Sequence, residues 1–470
     1  MEDATPNTRS KALAINLDPA PYGTFAEIGG GQEVARWFFE VGGAAGTVAK
    51  TISAYDMATS DALYGPAPRY VSWQRLESMR EHEFNQLIER LGPQRGDQTT
   101  FFTFADTVTT RSYRRENGRG WVGIRFQGSP HALPSDIIIH AHLLDQTAEH
   151  QRDALGVLGV NLVHGAFFVG KDPQALIGRL LDDLTRTRVE IDMIKFSGPA
   201  FAGVDNRLMA LQLVEQGLTD AAMLRASGEV VQPSEVLYKK AILVERGSFR
   251  PATKLTLDLL ERARVQFLEE ADVVGQTPVV LAEMTLRSLA SDREVSHADF
   301  LARADILRAL GLDVLISRFE PYYELAEYLS AYTDRLIVVA VGFPSVRQIA
   351  DEHFYTDLPG GVLESAGRLF KRSVKMYVYP TRDPATGQIL SADTAPIAPP
   401  WHHIRALLLE IGRLVPIRNY NEQYLSIRTP EVLARIQAGD PGWEDLVPPV
   451  VAETIKTRQL FGYRPPRRLE

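Results

Sequence analysis

The sequence predicts an α/β protein, with a mixed N-terminal α+β layer followed by a mostly parallel sheet flanked by helices. Three observations predict it. Short runs rich in Val, Ile, Leu and Phe alternate with amphipathic helical segments along most of the chain. From Pro278 to Pro380 that alternation becomes regular, one strand to one helix. With 470 residues, 45% apolar and 23% charged, the chain is too long for one ordinary core and has the composition of a globular protein.

Taken in order, residues 1–20 are polar and contain Pro, which predicts a loose arm. Gly29–Gly31 precede a helix over Gln32–Val41, with Val34, Trp37, Phe38 and Val41 at helical spacing; Gly42-Gly43 interrupt it, and a second helix is expected over Thr47–Met57. An amphipathic helix follows over Trp73–Leu91, ended by Gly92-Pro93. Thr99–Thr109, Trp121–Gln127 and Asp136–Leu144 read as strands, the first two joined by a hairpin turn over Arg114–Gly120. A helix over Gln146–Leu158, a strand over Asn161–Val169, a helix over Gln174–Thr185 and a strand over Glu190–Phe196 continue the alternation. Asn206–Gln216 is helical, Asp220–Phe249 reads as short strands around Ser227-Gly228, and Thr256–Glu270 is a helix.

The clearest block follows: strands Val279–Glu283, Asp313–Ser317, Leu336–Val341 and Val374–Tyr379, with helices His297–Leu310, Tyr322–Ala331 and Ser345–Glu352 between them. Apolar strands separated by helices predict a Rossmann-like sheet covered on both faces. The expected regions are an N-terminal arm with a Gly-rich helical segment (1–97), an α/β region (98–274), the Rossmann-like region (275–380) and a Pro-rich wrapping segment (381–470).

A net charge of -8 argues against a general nucleic-acid binder, and the absence of cysteine excludes disulfides, thiolate metal sites and cysteine nucleophiles. The N-terminus lacks a basic region followed by an apolar core, and no apolar run reaches the roughly 18 residues of a spanning helix, so no signal peptide, no membrane partner and a cytoplasmic location are expected.

Four stretches carry candidate chemistry. Gly42–Thr51 (GGAAGTVAKT) has a Lys-Thr end like a phosphate loop, but Ala49 stands where Gly must precede the Lys, and Ala44 replaces the first motif Gly. Close helix packing or a turn is its simpler use. His140-Ala141-His142 ends an apolar strand, and residues two apart in an extended chain point the same way, so both imidazoles are candidates for one metal; two hydrogen-bonded strand histidines are the rival reading. Tyr238–Lys254 is the densest basic stretch. Lys240, Arg246, Ser248, Arg250 and Lys254 are candidates for holding phosphate, against the simpler reading of a charged strand edge. In the α/β block, Glu283, Arg318 and Gly342 fall at strand C-terminal ends, where ligands of such sheets bind. Glu283 is the candidate acid or base there, with Lys240, and Gly342 a candidate anion site opening a helix. Arg368, Lys371, Arg372 and Lys375 form a further basic group beyond them.

The stretches YGTFAEIGGGQEVARWFF, GGAAGTVAKTISAYD, LGVLGVNLVHGAFF and YKKAILVERGSFRPATK together resemble a bacterial protein family of about this length. Its members carry two names, nicotinate-nucleotide adenylyltransferase and TonB-dependent receptor. The first implies a His-x-Gly-His start, which does not occur here. The second implies an outer-membrane barrel of many amphipathic strands, which the helical content opposes. The leading expectation is therefore a protein binding a phosphate-bearing small molecule or nucleotide and, if an enzyme, a transferase. A self-assembling scaffold, in which the Gly-rich segment and Pro-rich tail form homo-oligomer contacts, and a metal-dependent hydrolase using His140 and His142 are the alternatives. No particular cofactor is implied.

Overall fold

The computed structural model describes residues 6–464 apart from 113–116, 292–293, 372, 398 and 400. It divides into two compact units, Met1–Asp220 and Ala221–Glu470, each an α/β arrangement with its own sheet. The turn of the hairpin expected after Thr109 lies largely outside the described residues, as does Arg372.

In the first unit the chain runs α1 (Thr8–Leu17), β1 (Pro21–Ile28), α2 (Glu33–Val41), β2 (Val48–Ile52), α3 (Met57–Tyr64), α4 (Trp73–Arg95), β3 (Thr100–Thr109), β4 (Gly118–Gln127) and β5 (Pro134–Leu143). Then come α5 (Ala148–His164), α6 (Pro173–Arg179), β6 (Val189–Ser197) and α7 (Asn206–Glu215). Its six-stranded sheet has the order β2-β1-β3-β4-β5-β6, parallel across β2-β1-β3 and antiparallel from β3 to β6. One face packs Phe25, Phe102, Phe104, Ile124, Ile137 and Ile139 against apolar residues of α1, α2 and α5. On the other face α4 lies across β1, β3 and β4.

Three expectations of element type fail in this unit, each for a tertiary reason. The segment expected as a loose arm forms α1, because Lys11 is buried and donates to Asn161 Oδ1 (2.8 Å) and Asp182 Oδ2 (2.5 Å). The helix expected over Thr47–Met57 is instead the edge strand β2, paired in parallel with β1; Val48, Thr51 and Ile52 are β-branched and suit it. Gly42 and Gly43, both with positive φ, make the turn between α2 and β2, so there is no helix pair. The strand expected over Asn161–Val169 is helical: α5 continues to His164, followed by a looser turn over Gly165–Val169. From Ala154 to Ala166 every residue is buried, which removes the period that separates helix from strand.

Gly29–Gly31 form a tight turn on the edge of β3. Gly29 has φ +96°, and a Cβ there would stand 1.9 Å from the Val108 carbonyl oxygen. Gly29→Ala therefore combines left-handed strain with a backbone clash, and a loss of about 3 kcal/mol is expected in chemical denaturation. A loss below about 1 kcal/mol would show that the turn can move away from β3.

The second unit begins with β7 (Ala221–Leu224), β8 (Val230–Val231), α8 (Pro233–Leu237), β9 (Ile242–Arg246), α9 (Lys254–Leu268) and β10 (Val279–Thr285). A short helix α10 (Leu286–Leu289) and a two-residue-per-strand hairpin, β11 (Ala290–Ser291) with β12 (Glu294–Val295), lead to α11 (His297–Ala309). Then follow β13 (Asp313–Ser317), α12 (Tyr322–Ser330), β14 (Ile337–Gly342), α13 (Phe343–Ile349), α14 (Gly361–Leu369) and β15 (Val374–Tyr379). A second small hairpin, β16 (Thr381–Arg382) with β17 (Ile389–Leu390), precedes α15 (Trp401–Glu410), β18 (Leu414–Pro416), α16 (Thr429–Ala438) and α17 (Pro449–Arg458).

The large sheet has the order β18-β15-β14-β9-β10-β13-β7-β8. Its first six members are all parallel; β7 and β8 extend one edge in antiparallel fashion. Numbering the parallel strands by sequence gives 3-2-1-4-5-6 from β13 to β18, a doubly wound order whose switch point lies between β9 and β14. The central strands are apolar on both faces, as a parallel sheet requires: Ile242, Val244, Ile337 and Val339 belong to one core, Leu243, Val338 and Ala340 to the other. The tail does more than wrap. β18 joins the sheet beside β15, and Trp443 is buried.

Candidate functional site

The switch point carries a cleft of about 350 Å³ at the C-terminal ends of the strands. β9 contributes Arg246 and the loop residues Gly247 and Ser248, β10 ends in Thr285, and the loop after β13 brings Phe319 and Glu320. From the other side α12 offers Tyr322 and α13 offers Ser345 and Gln348. Arg287, Phe354 and Tyr355 complete the rim.

Alternation along β9 sends Arg246 to the same face as Ile242 and Val244, and its register partner on β10 is Glu283. The two form a bidentate pair: Arg246 Nε donates to Glu283 Oε2 (2.7 Å) and Nη2 to Oε1 (2.9 Å). Ser317 Oγ donates to Glu283 Oε1 (2.6 Å), and Arg246 Nη1 donates to the Glu320 carbonyl (2.9 Å). The guanidinium also lies over the Tyr322 ring, 4.3 Å from its centroid. Burial works to lower the Arg246 pKa, but the Glu283 charge and hydrogen bonds outweigh it and raise it. This geometry revises two expectations. Glu283 is fully buried with both oxygens engaged, so it is a structural anion and not an acid or base open to a ligand. Arg246 has its Nε, Nη1 and Nη2 all donating within the protein, so it forms a rigid positive floor to the cleft and not a free clamp.

The remaining sequence candidates scatter. Ser248 lines the cleft. Arg250 faces away to Asp299, with Nε 2.7 Å from Oδ1. Lys254 is the first residue of α9, and Arg318 follows β13 at the same sheet end. Gly342 ends β14, but α13 is only seven residues long and is entered through Pro344, which leaves little of an anion-binding helix terminus. Lys240 precedes β9 while Arg246 ends it, so the two lie roughly 15–20 Å apart along the strand. Lys240 lines a separate cavity of about 630 Å³ with Glu261, Arg264 and Asp313, near the strands' N-terminal ends. Lys371 and Arg368 are paired with Glu327, and Lys375 with Glu270. Sequence reading missed Arg287, whose guanidinium meets the loop residues Phe354 and Glu320. It also missed Glu245, buried on the opposite face of β9 with no partner for Oε2 among the described residues; burial pushes its carboxyl well above the ordinary range.

In the first unit His140 and His142 do share one face of β5, and the structure adds Asp192 from β6. His140 Nδ1 lies 2.6 Å from Asp192 Oδ1, and His142 Nε2 lies 2.9 Å from Asp192 Oδ2. Burial works to raise the Asp192 carboxyl, but the two imidazoles outweigh it and hold it below the ordinary range. Burial likewise works to lower His142, and the Asp192 charge and hydrogen bond outweigh that, so His142 is raised.

The start of α2, after the turn at Gly29–Gly31, is already served within the protein. Glu27 accepts from the Val34 and Ala35 backbone N–H groups at the start of α2, both at 3.0 Å. Among the described residues no helix is long and apolar enough to cross a membrane.

No family model matches this chain, and no curated protein matches it. Solved structures give distant likenesses. The competence/damage inducible protein CihA from Agrobacterium tumefaciens is 16% identical with a TM-score of 0.24, covering 35% of this chain and 97% of that one. A competence-damaged protein (CinA) superfamily member from Enterobacter cloacae is 12% identical with a TM-score of 0.25, covering 35% and 95%. At such scores the likeness carries no argument about function.

Proposed function

We propose that the second unit binds a phosphate-bearing small molecule, most simply a nucleotide, in the cleft between β9 and β14. The observation that carries the reading is the cleft's place: it opens at the C-terminal strand ends where the strand order reverses, the position at which doubly wound sheets take their ligands. Its lining suits such a ligand. Phe319, Tyr322, Phe354 and Tyr355 supply flat apolar surface for a base, and Ser248, Thr285, Ser288 and Ser345 supply hydroxyls for sugar and phosphate oxygens. Arg287 is the cation best placed to take a phosphate. It is well exposed, shares a 3.2 Å contact with Glu320 and lies 5.8 Å from the Phe354 ring centroid. Arg246, with its charge balanced by Glu283, then shapes the floor and supports the wall through Tyr322.

Group transfer would need a reacting acid or base, and Glu283 is withdrawn from that role by its burial. The reading is therefore one of binding first. It is tested by isothermal titration with AMP, ATP, a ribose phosphate and adenosine. Phosphate-bearing ligands are expected to bind, and Arg287→Ala to weaken them about tenfold, the equivalent of roughly 1.4 kcal/mol, while leaving adenosine affinity unchanged. Absence of binding by every phosphate compound, or equal binding by the variant, would overturn the proposed site.

A further inference from the structure

We propose that His140, His142 and Asp192 bind a divalent transition-metal ion, zinc or one of its chemical neighbours. The site is built on strand β5, Pro134–Leu143. Ile137, Ile139, Ala141 and Leu143 belong to the core of the first unit, so Ile138, His140 and His142 stand on the opposite face. The two imidazole rings lie with centroids 5.0 Å apart, and the Trp121 ring on the neighbouring strand packs 4.9 Å from His140. Their orientation is thus set by packing before any ion arrives.

The third ligand is delivered by an irregularity. β6 pairs with β5 as His140 with Met193 and then Ala141 with Ile191, so Asp192 is an extra residue in the ladder. The core confirms the slip: Val189 and Ile191 face inwards, and so do Ile194 and Phe196, which regular alternation cannot do. A bulge re-aims one side chain without disturbing the rest of the strand. Here it turns a carboxylate under both histidines. Asp192 and His140 are buried, while His142 keeps about one fifth of its side chain at solvent, an entry for an ion.

The donor set decides the class of ion. Two imidazoles and one carboxylate suit zinc, iron, nickel or copper; calcium and magnesium prefer oxygen ligands alone. One ligand atom from each residue lies within 4.8 Å of the others. A tetrahedral zinc with bonds of about 2.0–2.1 Å needs its ligands roughly 3.3 Å apart, so side-chain adjustments of an ångström or so suffice. Three protein ligands leave a fourth position for water or a ligand, the pattern of a reactive centre and not of a closed structural one. The hydrogen bonds between Asp192 and the two histidines hold the same three groups together through protons, which the ion would replace on binding.

The test uses the full chain with any affinity tag removed, stripped with a chelator and titrated with zinc and with cobalt. One ion per chain is expected, with visible d–d absorption from cobalt in a site of low symmetry. His142→Ala and Asp192→Asn are expected to weaken binding more than about tenfold and to abolish the cobalt spectrum. His142→Ala removes a partly exposed side chain, so it remains informative if Asp192→Asn fails to fold. The proposal falls if the stripped protein takes up no stoichiometric ion, or if the His142→Ala protein binds zinc and cobalt as the parent does.

Discussion

Arg246→Ala is expected to lower the stability of the second unit by about 3–5 kcal/mol, among the largest effects of any single substitution in it. In the intact protein Glu283 is fully buried, and the substitution leaves it, among the described residues, with Ser317 as its side-chain donor. An unpaired carboxylate in that position either stays charged at great cost or takes up a proton. Removing the pair together is a different matter. A double replacement by Met at positions 246 and 283 restores apolar packing around Leu281, Val244 and Leu315, and should recover most of the loss. Urea denaturation of Arg246→Met, Glu283→Met and the double variant measures the coupling. A single variant within about 1 kcal/mol of the parent would mean that the ion pair is dispensable and that Arg246 is no rigid floor to the cleft.

The second large effect concerns pH. Glu27 on β1 and Asp106 on β3 are register partners in a parallel ladder, and both are fully buried. Burial first, then the neighbouring Glu33 charge, raise the Glu27 carboxyl from an ordinary 4.5 to about 7, against the pull of the Val34 and Ala35 N–H groups. Burial and the Glu27 charge push Asp106 well above its ordinary value. Both groups thus keep protons in the folded chain that the unfolded chain gives up in the usual carboxyl range. Their contribution to stability is full at pH values below that range and is lost as pH rises towards and through about 7. For Glu27 alone the shift from 4.5 to about 7 amounts to roughly 3 kcal/mol. Asp106→Asn keeps the acceptor that Ile28 N uses and removes the like charge. The variant is expected to be more stable than the parent at pH 8, with the gap narrowing by pH 5. Unfolding free energies at the two pH values measure it, and an unchanged gap would show that the two carboxyls do not share a proton-linked state.

Much of the architecture was legible in the chain. The strands at Thr100–Thr109, Gly118–Gln127, Asp313–Ser317, Ile337–Gly342 and Val374–Tyr379 stand where runs of β-branched and aromatic residues predicted them. The failures share a cause. The first part of Asn161–Val169 continues a stretch from Ala154 to Ala166 that is buried on every side, and such a run carries no period. Val48–Ile52 is short and its strand state comes from pairing with β1, a contact that local propensity does not contain.

The candidate sites divide in the same way. His140 and His142 were visible because a two-residue spacing fixes their common face, Arg246 because it sits in the densest basic stretch, and Glu283 because it falls near the C-terminal end of an apolar strand. What Arg246 and Glu283 do was not visible: only the parallel register of β9 with β10 makes them partners and so withdraws both from a ligand. Lys240 and Arg246 looked like one basic cluster, and the rise of a strand separates them. Asp192 left a faint trace, a carboxylate where the apolar alternation of VEIDMIKF slips by one residue. The sequence by itself determined which segments are strands and helices wherever one face is wet and the other dry, because that contrast is written locally. The tertiary structure alone decided strand order, the bulge at Asp192 and the pairing of buried charges, because each depends on residues brought together from tens of positions apart.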